Sequence, residues 1–177
     1  DVLVLTKPLG IGILNTATKA ELLSAEKIKE VTNVMTTLNK YAKDSLKNLS
    51  VNSCTDITGF SLIGHGYEMA SGSNKTIEFY SNSIPLLNDS LEYASMGIIP
   101  EGMYNNLEYL KDIYRCDSSV TQEMQDVLLD PQTSGGLLLS MPEKDALEFI
   151  SRMELNNPWT RIIGTVTDKQ SHSIIIK

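Results

Sequence analysis

The order of hydrophobic and polar positions predicts strands and helices that interleave along the chain. The first apolar stretch, VLVLT at residues 2–6, is typical of a β-strand. The segment KPLGIGIL at residues 7–14 follows it and predicts a loop, because two glycines punctuate it. Gly10 and Gly12 permit backbone angles closed to other residues, so this loop either turns the chain or approaches a ligand.

A long amphipathic helix is predicted next. Thr18 and Glu21 have the spacing of a capping box, and from Ser24 onward apolar residues recur on one helical face. The residues of this stripe are Ile28, Val31, Met35, Leu38, Ala42 and Leu49. Most helices bury such a face within their own domain, so the stripe indicates core rather than a partner surface.

The rest of the chain alternates between helical and strand patterns. Helices are predicted over 58–70, 88–97 and 120–129 and from the cap residue Ser140 to about residue 153, and strands over 76–80, 137–141, 160–167 and 173–177. Residues 98–118 predict a loop-rich excursion with some helix.

Local signals mark several of these boundaries. Gly97 is expected to stop its helix, and proline disfavours helical geometry in Asp130. Ser140 and Glu143 repeat the spacing of a capping box, with Pro142 in the first turn of the helix that follows. The last two strands are close enough in sequence to predict a hairpin. The predicted fold class is α+β, with a mixed β-sheet and packed helices.

Composition narrows the function classes. The 177 residues are 41% hydrophobic and 21% charged, which is ordinary for one globular domain, and the formal net charge is −7. No basic run is present, which argues against nucleic acid as a partner. No apolar run approaches the roughly 20 residues of a membrane span, and a secretory signal pattern is missing, so a cytoplasmic location without a membrane partner is predicted. Cys54 and Cys116 form no Cys-x-x-Cys pair and are expected to be reduced thiols.

Asp56, in the segment NSCTDITGF, is the main candidate for chemistry. A carboxylate before a helix is most often an N-cap, and this structural interpretation is favoured on spacing alone. The functional interpretation is a ligand for a hard cation such as Mg²⁺, with the other ligands supplied elsewhere. Gly59, Ser61, Gly64 and Gly66 lie in the predicted helix that follows and indicate close packing, either on a sheet or against a ligand or a second domain.

Other candidate residues carry weaker signals. The segment DPQTSGG at 130–136 contains Thr133 and Ser134 but has no Gly-Lys-Ser/Thr, and a strand follows it, so a tight turn is favoured over a phosphate loop. His65 and His172 have no spacing that builds a triad or a two-histidine metal site, and both are interpreted as structural or surface residues. Cys54 has no cation near it in sequence to make it a nucleophile.

Three segments together resemble the signatures of the selenophosphate synthetase (selenide, water dikinase) family. They are LTKPLGIGI at 5–13, CTDITGFSLIGHGYEMA at 54–70 and LDPQTSGGLLLS at 129–140. The resemblance covers essentially this whole chain but only the C-terminal half of the family's protein. Ser61 and Gly66 depart from the family pattern, which has Gly and Ala there.

The resemblance implies an enzyme that makes selenophosphate from selenide and ATP, with AMP and phosphate as co-products. The implied fold is similar to the C-terminal domain of the aminoimidazole ribonucleotide synthetase superfamily. Mg²⁺ and K⁺ are the implied cofactors, and Asp56 matches a family residue of the magnesium–nucleotide site.

The resemblance also implies that residues 1–177 are a single domain and the C-terminal half of a larger enzyme. The catalytic Cys or selenocysteine, the catalytic Lys and the nucleotide-binding segment belong to the N-terminal domain, so no catalytic residue is expected in this chain and the chain alone is expected to be inactive. The start at Asp1, directly before a strand, agrees with a piece of a longer chain. The intact enzyme is expected to be a homodimer. The alternative is a non-catalytic binding or regulatory domain of the same fold.

Overall fold

The computed structural model describes residues 1–154 and 157–177. Within these residues the chain forms a seven-stranded sheet and eight α-helices. The strands are β1 (Val2–Leu5), β2 (Ser53–Asp56), β3 (Lys75–Phe79), β4 (Tyr114–Cys116), β5 (Leu137–Met141), β6 (Arg161–Asp168) and β7 (Ile174–Ile176). The helices are α1 (Ile11–Lys19), α2 (Ala25–Thr36), α3 (Lys40–Ser45), α4 (Ser61–Ser73), α5 (Ser90–Ser95), α6 (Glu101–Leu110), α7 (Gln122–Leu129) and α8 (Glu143–Met153). The α+β fold class predicted from the sequence is confirmed.

The sheet is mixed, with the strand order β2-β5-β1-β6-β3-β7-β4. β7 runs parallel to both β3 and β4, and the other neighbouring pairs are antiparallel. The predicted hairpin between the last two strands is wrong, because β3 lies between β6 and β7. The short sequence separation of β6 and β7 favoured direct pairing. The insertion of β3 between them depends on contacts between residues far apart in sequence.

Both faces of the sheet are packed near β1. Leu3 and Leu5 contribute to the main core under α1, α4, α5, α6 and α7, whereas Val4 packs in a second cluster with residues of α3 and α8. Side chains alternate between the two faces of a strand, so a strand covered on both sides is apolar throughout. This explains why VLVL carries no polar position.

The N-terminal helical region differs from its prediction. Helix α1 begins at Ile11 and occupies the second half of the segment predicted as a glycine loop. Thr18 is not a cap, because it lies inside α1 and its hydroxyl donates to the Leu14 carbonyl. The predicted long helix is two helices, α2 and α3, separated after Thr36, and Leu38 between them is 59% exposed.

Later boundaries follow local signals more closely. Gly97 has a φ of 75° just beyond α5, and α7 ends at Leu129 before Asp130 and Pro131, both as predicted. The excursion at 98–118 contains α6 and β4. Ser140 lies in β5 and donates to Asp1 instead of capping α8, so the second capping box is also wrong. No helix in the described ranges has the length and apolarity to cross a membrane.

Candidate functional site at one end of the sheet

The three sequence segments singled out above meet at one end of the sheet. β5 lies between β1 and β2 and is antiparallel to both, with Leu5 opposite Leu138 and Asp56 opposite Leu137. The residues that follow β1, follow β2 and precede β5 therefore leave the sheet at the same end. We call residues 6–12, 56–60 and 130–136 the three-loop cluster.

Hydrogen bonds join the loops of this cluster. The amide of Ile57 donates to the Gly136 carbonyl over 3.0 Å, and the amide of Gly59 donates to the Gln132 carbonyl over 2.9 Å. The Thr58 hydroxyl accepts from the Gly135 amide at 3.0 Å. The segment DPQTSGG is thus a turn, as predicted, and it fixes the loop that carries Asp56.

Asp56 is the last residue of β2, and its side chain is exposed. Helix α4 begins five residues later, and its N-cap residue, Phe60, makes no side-chain cap. The N-cap interpretation of Asp56 is therefore wrong. No donor in residues 1–154 and 157–177 hydrogen-bonds to its carboxylate, and the exposed side chain is available to a cation.

The metal-ligand interpretation of Asp56 stays a prediction. In the described part of the chain, no three His, Cys, Asp or Glu side chains group in a way that could hold a metal ion. Asp56 fits a divalent-cation site as one hard oxygen ligand, with further ligands required from elsewhere.

Asp130 is a buried carboxyl group that sequence reasoning did not single out as a site residue. Its side chain is 0% exposed, and Oδ2 accepts hydrogen bonds from the Gly12 amide and the Gln132 side-chain amide, each at 2.8 Å. Oδ1 has no partner in the described residues. Burial raises the pKa of Asp130 to about 7, against the opposing effect of these hydrogen bonds.

Asp130 and Gln132 together cap α1. The N-cap position of α1 is Gly10, which has no side chain and a φ of 110°. The Gln132 side-chain oxygen accepts from the Ile11 amide at 3.2 Å, next to the Asp130–Gly12 bond. The first amides of α1 thus donate to side chains of residues 130–136, which we call the third loop. The sequence has no Ser, Thr, Asp or Asn at the N-cap position of α1. This absence was the available signal that a distant residue caps the helix.

Lys7 is the second buried charged group of the cluster, with 2% of its surface exposed. Its Nζ donates to the Ser134 carbonyl at 2.8 Å. Desolvation lowers the pKa of Lys7. Sequence reasoning did not single out this lysine, because nothing in its local pattern predicts burial.

His65 of α4 supports the second loop. Its Nε2 lies 3.0 Å from the Thr58 carbonyl oxygen, and its Nδ1 lies 2.8 Å from Glu68 Oε2. Its ring also contacts Phe60 edge-on, with centroids 5.7 Å apart. These contacts are those of a structural residue that links α4 to the loop after Asp56.

Two glycines of α4, Gly64 and Gly66, serve close packing. A Cβ at Gly64 would lie 2.7 Å from the Phe60 ring, and a Cβ at Gly66 would lie 2.9 Å from Phe79 of β3. Gly66 therefore meets the sheet, which is the structural one of the two alternatives. Burial and the negative charge of Asp56 raise the pKa of the Cys54 thiol, so the environment does not activate this residue.

Comparison with protein families adds to this geometry. The family model for "AIR synthase related protein, C-terminal domain" matches residues 1–177. The chain therefore belongs to the AIR synthase related family, as its C-terminal domain.

Two relatives illustrate the closer similarity. The chain is 65% identical over 177 residues to a selenide, water dikinase of Clostridium botulinum (strain Eklund 17B / Type B), covering 100% of this chain and 51% of the relative. It is 47% identical over 178 residues to a selenide, water dikinase of Caldanaerobacter subterraneus, covering 100% of this chain and 52% of the relative. The chain thus spans about half the length of these proteins.

Solved structures share the fold at low sequence identity. The protein tt0281 from Thermus thermophilus matches with a TM-score of 0.67 and 16% identity, over 99% of this chain and 48% of that one. Hydrogenase maturation protein HypE in complex with ATP matches with a TM-score of 0.62 and 15% identity, over 99% of this chain and 46% of that one. These similarities support the fold.

Proposed function

We propose that this chain is the C-terminal domain of a selenide, water dikinase. In the proposed reaction, the intact enzyme transfers one phosphoryl group of ATP to selenide, and water cleaves a second phosphoanhydride bond, so that AMP and orthophosphate are released. The relatives that carry this name support the proposal, and the ATP-bound HypE structure shows that a protein of the same fold binds the nucleotide.

The observation that carries the proposal is the meeting of the three segments at one end of the sheet. Each segment was recognised by its resemblance to the same family, although they lie far apart in sequence. In the structure they are hydrogen-bonded to one another, and the exposed side chain of Asp56 lies at their surface. A shared site explains why all three resemble one family.

In this proposal Asp56 supplies one ligand to Mg²⁺, and the N-terminal domain supplies the remaining carboxylates. Mg²⁺ held there would supply neutralisation of the phosphate charge, and K⁺ is proposed as a second cation. The role of this chain is to hold the carboxylate in place, through the bonds from Ile57, Gly59 and Thr58 to the third loop. The reacting Cys or selenocysteine and the Lys belong to the N-terminal domain, in a cytoplasmic homodimer. The isolated chain is therefore expected to be inactive.

The test is Asp56→Asn in the full-length protein, which removes the charge and preserves the shape of the side chain. Asp112→Asn is the matched control, because Asp112 is also exposed and lies beside β4 at the far edge of the sheet. We expect selenide-dependent AMP formation to fall at least about tenfold in Asp56→Asn, since the developing charge loses part of its metal site, and to stay unchanged in the control.

Two results contradict the proposal in different ways. If the intact wild-type protein forms no AMP from ATP in the presence of selenide, the enzyme hypothesis is wrong. The alternative, a non-catalytic binding or regulatory domain, then takes its place. If the wild type is active and Asp56→Asn retains full activity, Asp56 is not a ligand of the reacting metal.

A further inference from the structure

Lys7 is a buried cation without an acidic counter-ion in the described ranges. Its side chain is 2% exposed, and its hydrogen-bond partner is the Ser134 carbonyl at 2.8 Å. No Asp or Glu in residues 1–154 and 157–177 forms an ion pair with it, and desolvation lowers its pKa. Burying an ammonium group without an opposite charge costs folding free energy, so this position requires a compensating cause.

The third loop is built closely around Lys7. A Cβ at Gly136 would lie 2.6 Å from the Lys7 backbone nitrogen, so only glycine fits there. Ser134 has a φ of 50°, which is uncommon for a residue with a side chain. The turn at 133–134 is therefore held directly over the ammonium group, and its side chains are exposed to solvent.

The peptide groups of this turn direct their carbonyls inward. The Gln132 carbonyl accepts from Gly59, and the Ser134 carbonyl accepts from Lys7. In a planar trans peptide the N–H points opposite to the C=O, so the amide of Thr133 faces away from Gly59. The amide of Gly135 donates to the Thr58 hydroxyl, so the exposed donors of the turn are the hydroxyls of Thr133 and Ser134. Hydroxyl donors on the surface with the positive charge of Lys7 behind them favour an anion.

The turn also lies close to Asp56. Leu137 pairs with Asp56 on one side, and its carbonyl accepts from the Thr6 amide on the other side at 3.1 Å. Two interstrand spacings separate Thr6 from Asp56, so their backbones lie roughly 10 Å apart, and Lys7 is the residue that follows Thr6. A cation at Asp56 and an anion on the turn would be neighbours, as in a metal–phosphate complex.

We infer that Lys7 and the turn at 133–134 form a binding site for a phosphate group. Lys7 acts from inside the domain, where solvent screens its charge weakly, and the turn presents the surface on which the phosphate binds. This inference deepens the proposed function and rests on it for the natural ligand, a phosphate group of the nucleotide or the orthophosphate product. It also gives the buried charge its compensating cause.

The test uses Lys7→Met in the full-length protein, with pyrophosphate and Mg²⁺ as the probe. Methionine fills a similar space without charge. We expect Lys7→Met to unfold at the same or a higher temperature than wild type without pyrophosphate, because a desolvated charge is removed. We expect its dissociation constant for pyrophosphate, measured by calorimetry, to rise at least about tenfold, since a charged group typically contributes that much to binding.

Lys75→Met is the control, because Lys75 is a partly exposed lysine at the opposite end of the sheet, paired with Asp168. It should bind pyrophosphate as wild type does. The inference is overturned if wild type does not bind pyrophosphate, if Lys7→Met binds it with unchanged affinity, or if Lys7→Met is markedly less stable or unfolded without it. The last result would make Lys7 a structural clamp for Ser134.

Failure of this inference can be distinguished from failure of the proposed function. A wild-type protein that forms AMP from selenide and ATP, with Lys7→Met binding pyrophosphate normally, refutes only the role of Lys7. A protein without selenide-dependent activity that loses pyrophosphate binding in Lys7→Met refutes the reaction and leaves the phosphate site standing.

Discussion

The carboxylate of Asp130 accepts a hydrogen bond from the backbone amide of Gly12 at 2.8 Å, across 118 positions of sequence. This bond fixes the start of α1 to the loop before β5. It connects two of the three loops of the cluster, and Gln132 strengthens the connection through the amide of Ile11. The buried carboxyl group of Asp130 therefore stabilises the three-loop cluster, although Asp130 does not lie at the surface of the cluster.

The first prediction concerns the space at Gly12. A Cβ there would collide with the Asp130 carboxylate and would lie 2.6 Å from the Pro131 carbonyl oxygen. We expect Gly12→Ala to lower the free energy of unfolding by about 1–3 kcal/mol, measured by urea denaturation, because the capping loop must shift. Gly72→Ala in α4 is the control, since a Cβ at Gly72 meets no atom within 4 Å. It should be neutral or slightly stabilising, and an equal loss in both variants would refute the steric explanation.

The second prediction concerns pH. The pKa of Asp130 is about 7 in the folded protein, above the usual 3.8, so the folded state holds a proton that the unfolded state releases. Between these two values the contribution of Asp130 to stability falls as the pH rises, and above pH 7 it is constant. The contribution changes by about 1.4 kcal/mol for each unit of pH fully inside that window.

The measurement is urea denaturation of the wild type and Asp130→Asn at pH 5 and pH 8. Asparagine preserves an acceptor for Gly12 and does not titrate. We expect the wild type to lose more stability than Asp130→Asn on going from pH 5 to pH 8. Equal losses in the two proteins would show that Asp130 does not carry a raised pKa.

The third prediction concerns backbone strain at the start of α4. Ser61 is buried with a φ of 68°, and its hydroxyl accepts from the Gly64 amide at 3.2 Å. Glycine adopts this conformation without steric cost, whereas other residues lose about 1–2 kcal/mol. We expect Ser61→Gly to raise the free energy of unfolding by up to about 1 kcal/mol, because the relief of backbone strain exceeds the loss of the hydrogen bond between the Ser61 hydroxyl and the Gly64 amide.

Ser61→Ala separates the two effects. Alanine retains the strained φ and loses the hydroxyl, so this variant should be less stable than the wild type. If Ser61→Gly proves less stable than Ser61→Ala, the hydroxyl rather than the backbone angle determines stability at this position. This result also bears on the family pattern, which has glycine where this chain has Ser61.

Local signals predicted the parts of the fold that depend on neighbouring residues. Gly97 ends α5 through its own left-handed conformation, and Pro131 restricts the residue before it at the end of α7. Helix α1 was missed because its cap comes from Asp130 and Gln132, which no local pattern reveals. The hairpin prediction failed for the same reason, since β3 enters the sheet from elsewhere in the chain.

The candidate site shows the same division. Asp56 was identified from its sequence context, but its favoured role as an N-cap required α4 to begin directly after it, and the helix begins only at Ser61. The roles of Lys7 and Asp130 depend on burial and on partners more than a hundred positions away. The family resemblance linked the three segments through sequence alone, and the structure adds the hydrogen bonds that join them.

The central claim is that Asp56 supplies a metal ligand in the intact protein, and direct measurement of metal binding tests it. Titration of the full-length protein with Mn²⁺ in the presence of ATP, followed by the electron paramagnetic resonance signal of free Mn²⁺, gives the affinity of the site. We predict binding at least about tenfold weaker in Asp56→Asn than in wild type and Asp112→Asn, because a hard oxygen ligand is lost. Equal Mn²⁺ affinity in all three proteins would contradict the account.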